Sequence, residues 1–121
     1  MKFMLLVHHD EAAFDKLSEA TKREMLAESV RLTHQLHAQG QYLGASPLQP
    51  TSTAAIVRRR EGEPIVTDGP FIETREQIAG YFLIEVNDLD EAIAIAERVP
   101  GARIGTVEVR PLREITGLPA I

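Results

Sequence analysis

The sequence TDGPFIETREQ, residues 67–77, runs into GYFLIEV, residues 80–86, and these two segments decide the fold. Asp68 and Gly69 favour a turn, while Pro70 fixes a backbone angle and removes an amide donor. The second segment is apolar and too short for a helix, so it predicts a buried strand. We therefore predict a constrained loop followed directly by a strand of the main sheet.

Periodicity on both sides of this stretch predicts alternating strands and helices. The predicted elements are a strand over 2–8, a loop over 10–17, a helix from Ser18 or Thr21 to about 39, a strand over 41–45, a hairpin of 53–59 and 64–67, the strand 80–86, a helix capped by Asn87 or Asp88 that ends before Pro100, and a strand over 105–110. Because two helices cover only one face of a sheet, this β-α-β-(hairpin)-β-α-β order is typical of a ferredoxin-like α+β fold. We predict one domain over 1–113 and an irregular tail over 114–121.

Composition limits both the chemistry and the partners. The chain has 121 residues, no cysteine and a net charge of −5. Without cysteine there is no thiolate nucleophile or thiolate metal site, and the acidic balance argues against direct binding to nucleic acid, whose phosphates need clustered positive charge. No segment is long enough to span a membrane and the first residues lack a cleavage site. We therefore expect a cytoplasmic protein with neither a membrane nor a nucleic-acid partner.

Alternation along the strands predicts two chemically different sheet faces. The face expected to meet the helices carries Phe3, Leu5, Val7, Phe82, Ile84, Val86, Val107 and Val109, and the opposite face carries Met4, Leu6, His8, Tyr81, Leu83, Glu85, Thr106, Glu108 and Arg110. This second face is too apolar to stay in water, because its central side chains would form a patch of the kind found at interfaces. We therefore predict a homodimer in which two sheets face each other around a shared cavity.

Two residues are candidates for acid–base catalysis. His8 ends the first strand and Asp68 belongs to the constrained loop, and the predicted topology brings both to one edge of the sheet. An imidazole or a carboxylate with a shifted pKa can move protons near neutral pH. The alternatives are a structural His8 and an Asp68 whose carboxylate accepts hydrogen bonds within its own turn.

Five further side chains are expected to bind a ligand in the same cavity: Phe71, Glu73, Tyr81, Glu108 and Arg110. A carboxylate beside a guanidinium can orient an anionic ligand, although the same pair also forms ion-pair networks inside dimers. No His spacing indicates a metal site, and no phosphate loop, dinucleotide fingerprint or Ser-His-Asp signature is present. We therefore expect no cofactor.

Five segments of the chain form a recognisable set: VTDGPFIETREQIAGY over 66–81, DLDEA over 88–92, VEVRP over 107–111, the opening MKFMLL, and GASPLQP over 44–50. Together they resemble the DGPF branch of the YCII-related family. The resemblance implies a bacterial protein of ferredoxin-like fold that assembles as a dimeric α/β barrel. It also implies an alternative function, an accessory role in sigma-factor-linked transcription regulation.

The resemblance implies no particular reaction. In the wider group an enzymatic role is associated with a His in the first helix and an Asp before a Pro after the second helix. These positions fall near Ser29 and at Val99 in this sequence, so the pair is absent. The function that we predict is small-molecule binding in the interface cavity, with cofactor-free acid–base or lyase-type turnover by Asp68 or His8 left open.

Overall fold

The computed structural model describes residues 1–121 and confirms an α+β fold. Its elements are β1 (Lys2–His9), α1 (Glu11–Asp15), α2 (Glu19–Ala38), β2 (Tyr42–Pro47), β3 (Ala55–Arg60), β4 (Glu63–Asp68), β5 (Gln77–Glu85), α3 (Leu89–Ala96) and β6 (Thr106–Pro111), with single 3-10 turns at Thr51–Thr53 and Pro100–Arg103. None of the helices combines the length and the apolar character that crossing a bilayer requires.

Four strands form the main sheet in the order β2-β5-β1-β6, and every neighbouring pair is antiparallel. This order is consistent with the ferredoxin-like arrangement predicted from the sequence. Strand β5 begins at Gln77, three positions before the predicted start at Gly80, because Gln77 and Ile78 already pair with β1. The constrained loop of residues 67–76 therefore leads into the strand earlier than the apolar residues of the strand indicated.

The hydrophobic core lies between this sheet and the helices α2 and α3. Phe3, Leu5 and Ile84 on the sheet are fully buried, and they pack in one cluster with Leu36 of α2 and Ile95 of α3. Alternate residues of β1 and β5 are only partly buried. The prediction of which strand residues face the helices is confirmed.

Helix α2 begins after a capping serine and ends at a glycine, as the sequence predicted. The Ser18 hydroxyl accepts a hydrogen bond from the Thr21 amide at 3.1 Å, so Ser18 is the N-cap and Thr21 lies inside the helix. At the other end Gly40 adopts a φ of 71°, and the Gln41 amide reaches back to the Leu36 carbonyl at 2.9 Å. A left-handed residue with such a return bond is the usual glycine stop of a helix.

The loop predicted over residues 10–17 is wrong, because a short helix, α1, occupies Glu11–Asp15. Asp10 caps it by accepting a hydrogen bond from the Ala13 amide at 3.1 Å. The Glu11 carboxylate then accepts bonds from the amide and the hydroxyl of Thr51 at 2.9 and 3.0 Å. This tertiary link stabilises a helix too short to be recognised from periodicity.

Strands β3 and β4 form a separate two-stranded sheet, called here the hairpin. Its turn places Glu61 and Gly62 at φ values of 52° and 81°, as a two-residue type I′ turn requires. All of β4 is exposed, and the hairpin makes few contacts with the main sheet. The apolar side chains of Val57 and Val66 therefore face solvent in the single chain.

Candidate functional site

The uncovered face of the main sheet carries a chain of three interacting side chains. His8 Nε2 lies 3.2 Å from Glu108 Oε1. Arg110 donates from Nε to Glu108 Oε2 at 2.7 Å, and its Nη2 donates to the same oxygen. Glu108 and Arg110 are two positions apart on β6, so they share a face, and β1 presents His8 beside them.

The electrostatics of this chain favour an ionised carboxylate. The hydrogen bond from Arg110 holds the pKa of Glu108 below its ordinary value, with a smaller contribution from His8, while burial acts in the opposite direction. An ionised Glu108 accepts hydrogen bonds only, so it selects an N–H on His8 Nε2. In the neutral imidazole this leaves Nδ1 as an acceptor, the form that a general base needs.

Apolar side chains surround the three residues. The strand register sets Leu6 between Tyr81 and Glu108, and Met4 between Leu83 and Arg110. Four of these neighbours are partly exposed, since neither helix covers this face: Met4, Leu6, Tyr81 and Leu83. Tyr81 thus lies on the predicted face. It pairs with Leu6, which precedes His8 by two positions on β1.

Other predicted residues lie on the hairpin and the loop after it. Asp68 ends β4, pairs with Ala55 and is exposed, and its carboxylate makes no hydrogen bond. The neighbouring Gly69 amide donates instead to the Ala54 carbonyl at 2.7 Å. The turn in which the Asp68 carboxylate was the predicted acceptor is therefore absent.

Phe71 and Glu73 belong to the exposed loop between β4 and β5. The Phe71 ring is 64% exposed, and the Arg58 guanidinium lies 5.2 Å from its centroid. Glu73 is likewise exposed. Neither residue hydrogen-bonds to the chain of His8, Glu108 and Arg110.

One residue of the same loop does reach the site. The Glu76 carboxylate accepts a hydrogen bond from the Thr106 hydroxyl at 2.9 Å, and Thr106 pairs with His8 across β1 and β6. Sequence analysis gave Glu76 no specific role, because its partner lies 30 residues away in the chain. Glu76 therefore links the constrained loop to Thr106, which pairs with His8.

The other histidine of β1 has a structural role. The His9 ring stacks on Phe14 of α1 with a centroid distance of 4.5 Å. Burial lowers the pKa of His9, and the carboxylates of Glu11 and Asp15 oppose that shift. His9 is thus predominantly neutral at pH 7. The structure contains no cluster of three or more His, Asp or Glu side chains arranged to hold a metal ion.

A cavity lies on the opposite, helix-covered side of the sheet. It has a volume of about 260 Å³ and opens between α2 and the strands β2 and β5. Ser29 and Val99 both line it, which are the positions where the family resemblance implies a His and an Asp. The sequence did not predict this cavity, because residues from several separate elements surround it.

The link between Arg110 and Glu108 gives a direct prediction. Arg110→Gln should raise the pKa of Glu108 toward its ordinary value, because the strongest hydrogen bond to the carboxylate is lost. In wild type the lowered pKa stabilises the folded state above the unfolded pKa of the carboxyl group, and that contribution is lost as pH falls through the folded pKa. Carboxyl NMR titration of Glu108 measures the change.

The matched control for this titration is Arg113→Gln, which removes an exposed charge outside the chain of three side chains. That variant should leave the Glu108 titration close to wild type, because exposed charges without a direct hydrogen bond are strongly screened. A Glu108 carboxyl that titrates identically in wild type and Arg110→Gln would contradict the proposed link.

The sequence is similar to a protein family and to an individual protein. The family model for the YCII-related domain matches residues 1–116. An uncharacterized protein of Rhizobium meliloti (strain 1021) is 34% identical over 114 residues, which span 93% of this chain and 92% of that protein.

Proposed function

Because the chain belongs to the YCII-related family and carries linked His8, Glu108 and Arg110 side chains on an uncovered sheet face, we propose that it is a homodimeric small-molecule-binding protein. The ligand site in this proposal is a chamber between the facing sheets of two subunits. The observation that carries the proposal is the 3.2 Å contact between His8 and Glu108 within a largely apolar surface.

The composition of the uncovered face supports the homodimer. A two-fold axis near the sheet centre brings the same apolar residues of both subunits together, as an isologous interface requires. Residues at the middle of the face, such as Leu6 and Leu83, then leave water, while the side chains of His8 and Glu108 remain around the chamber. The resulting assembly is the dimeric α/β barrel that the sequence resemblance implies.

The chemistry of the site supports a ligand with an exchangeable or acidic hydrogen. His8 Nδ1 is the available proton acceptor, Glu108 orients the ring, and the remaining Arg110 donors favour an anionic group. This combination suits a cofactor-free proton transfer or lyase-type step. The exposed side chains of Asp68, Phe71 and Glu73 remain free in a dimer to contact the ligand or the partner.

A thermal-shift screen of small carboxylic and carbonyl compounds tests ligand binding. A compound present at 100 times its Kd should stabilise wild type by about 2.7 kcal/mol, or roughly 10 °C in Tm for a chain of this size. The same compound should give a much smaller shift with His8→Gln, because the ring and its bond to Glu108 are removed. Asp68→Ala, screened in parallel, reports whether the hairpin contributes to the site.

The control for the screen is His34→Gln, which replaces an exposed histidine on α2. Its shift should equal that of wild type. Equal shifts for wild type and His8→Gln would contradict the proposed site, and so would a screen in which no compound shifts wild type. The accessory role in sigma-factor-linked regulation stays a prediction of the resemblance. Binding to a sigma factor, together with no thermal shift from any compound, would favour that role.

A further inference from the structure

The cavity on the helix-covered side of the sheet is separated from the proposed chamber by the sheet itself. Leu26, Ser29, Val30 and Thr33 of α2 form one wall, and residues of β2 and β5 form the other. Toward its C-terminal end α2 packs closely, since Leu32 and Leu36 are buried. The cavity therefore lies along the half of α2 that is packed less tightly against the sheet.

Two glycines fix the floor of this cavity. A Cβ at Gly80 would lie 2.9 Å from the Ser46 carbonyl oxygen, and a Cβ at Gly101 would lie 2.5 Å from Val7 Cγ1. Both distances are shorter than real Cβ contacts allow, so neither position accepts a side chain without movement of its neighbours. Gly80 and Gly101 both line the cavity, so a side chain at either position would disturb its wall.

The lining excludes a charged ligand. Nine of the 15 lining residues are hydrophobic and the other six are Ser, Thr, Pro or Gly, so no ionised side chain can pair with a ligand charge. An unpaired charge in such surroundings is strongly disfavoured. Leu26 and Val30 remain 53% and 47% exposed, and they give the cavity an apolar entrance.

The hydroxyl groups of the lining differ in whether they already hydrogen-bond within the protein. The Thr33 hydroxyl donates to the Val30 carbonyl at 2.6 Å, and the Ser46 hydroxyl donates to the Pro47 carbonyl at 2.8 Å. Ser29, by contrast, uses its hydroxyl in no hydrogen bond within the protein. A ligand with one donor or acceptor can therefore bond Ser29 without displacing an existing partner.

We propose that this cavity binds a neutral, mostly apolar molecule of about two fused rings with a single hydrogen-bonding group directed at Ser29. The size follows from volume, since a cavity of about 150 Å³ accommodates benzene in a protein interior. The proposal does not rest on the homodimer or on His8, because every residue involved belongs to one subunit.

Indole and indole-3-carboxylate form a matched neutral and anionic probe pair. The chain has no tryptophan, so the fluorescence of either probe can be followed without an indole background from the protein. Indole should bind at one site per chain, and indole-3-carboxylate should bind at least about tenfold more weakly because its charge finds no partner. Absence of indole binding, or equal affinity for both probes, would overturn the proposal.

Ser29→Leu should weaken indole binding at least about tenfold, because the larger side chain occupies the cavity and removes the hydroxyl. Ser52→Leu is the matched control, since Ser52 is exposed and does not line the cavity, and its indole affinity should stay within about twofold of wild type. A folded Ser29→Leu variant that binds indole as wild type does would contradict the assignment.

Methyl NMR of the wild-type protein locates the probe without any substitution. Indole should shift the methyl signals of Val30 and Val99, which line the cavity, and leave those of Met4 and Leu83 on the opposite face unchanged. Shifts confined to Met4 and Leu83 would place the molecule in the other face and overturn the proposal. This measurement decides the question even if Ser29→Leu does not fold.

Discussion

Leu6→Glu is expected to convert the proposed homodimer into monomers. Leu6 lies at the middle of β1 on the uncovered face, between Tyr81 and Glu108. A glutamate there would bring an unpaired carboxylate into the interface and set it beside the carboxylate of Glu108. Because an unpaired buried charge costs several kcal/mol, dimer affinity should fall by at least about 3 kcal/mol, or roughly 100-fold.

Sedimentation equilibrium over a range of protein concentrations measures this loss of affinity. The matched control is Leu89→Glu, which introduces the same charge at the exposed first position of α3. The control should have the dimer dissociation constant of wild type, because a carboxylate at the start of a helix is well tolerated. A wild-type protein that sediments as a monomer, or a Leu6→Glu variant with wild-type affinity, would contradict the face-to-face assembly.

Leu36→Ala should lower the free energy of unfolding by about 3 kcal/mol. The Leu36 side chain is 0% exposed and packs in the central cluster with Phe3 and Ile84. Its truncation removes buried apolar surface and leaves a space that the rigid sheet cannot fill. Urea denaturation monitored by circular dichroism at a single protein concentration gives the difference.

Leu26→Ala on the same helix provides the comparison, because the Leu26 side chain is 53% exposed. Its effect on the free energy of unfolding should be within about 1 kcal/mol of wild type, since little of its surface leaves water on folding. Equal destabilisation by the two variants would contradict the observed orientation of α2 on the sheet.

Much of this fold could be predicted because strand alternation is a local signal. Phe3 and Leu5 are buried and Met4 and Leu6 are only partly buried, as the two-residue period of a strand predicts. Asp88 caps α3, as its position before an apolar repeat indicated. The helix α1 escaped prediction, because its stability depends on the bond between Glu11 and Thr51, which are 40 residues apart.

The candidate site was predicted only in part, for a related reason. The two-residue alternation of a strand predicts that Glu108 and Arg110 share one face. The predicted strand order then places the strand of His8 beside theirs. The position of Asp68 depends on how the hairpin leaves the main sheet, and no repeating pattern encodes that direction. The cavity beside Ser29 depends on close backbone approaches at Gly80 and Gly101, which periodicity does not reveal.

The hairpin has a consequence for how this architecture can diverge. The hairpin makes few contacts with the rest of its own subunit. Its strands can therefore be lengthened, shortened or given other charges without disturbing the central cluster. Related chains are thus free to exchange Arg58 to Arg60 or the tip at Glu61 while keeping the same scaffold. Sequence differences that alter binding would therefore accumulate in the hairpin, while the packed sheet and helices would stay the same.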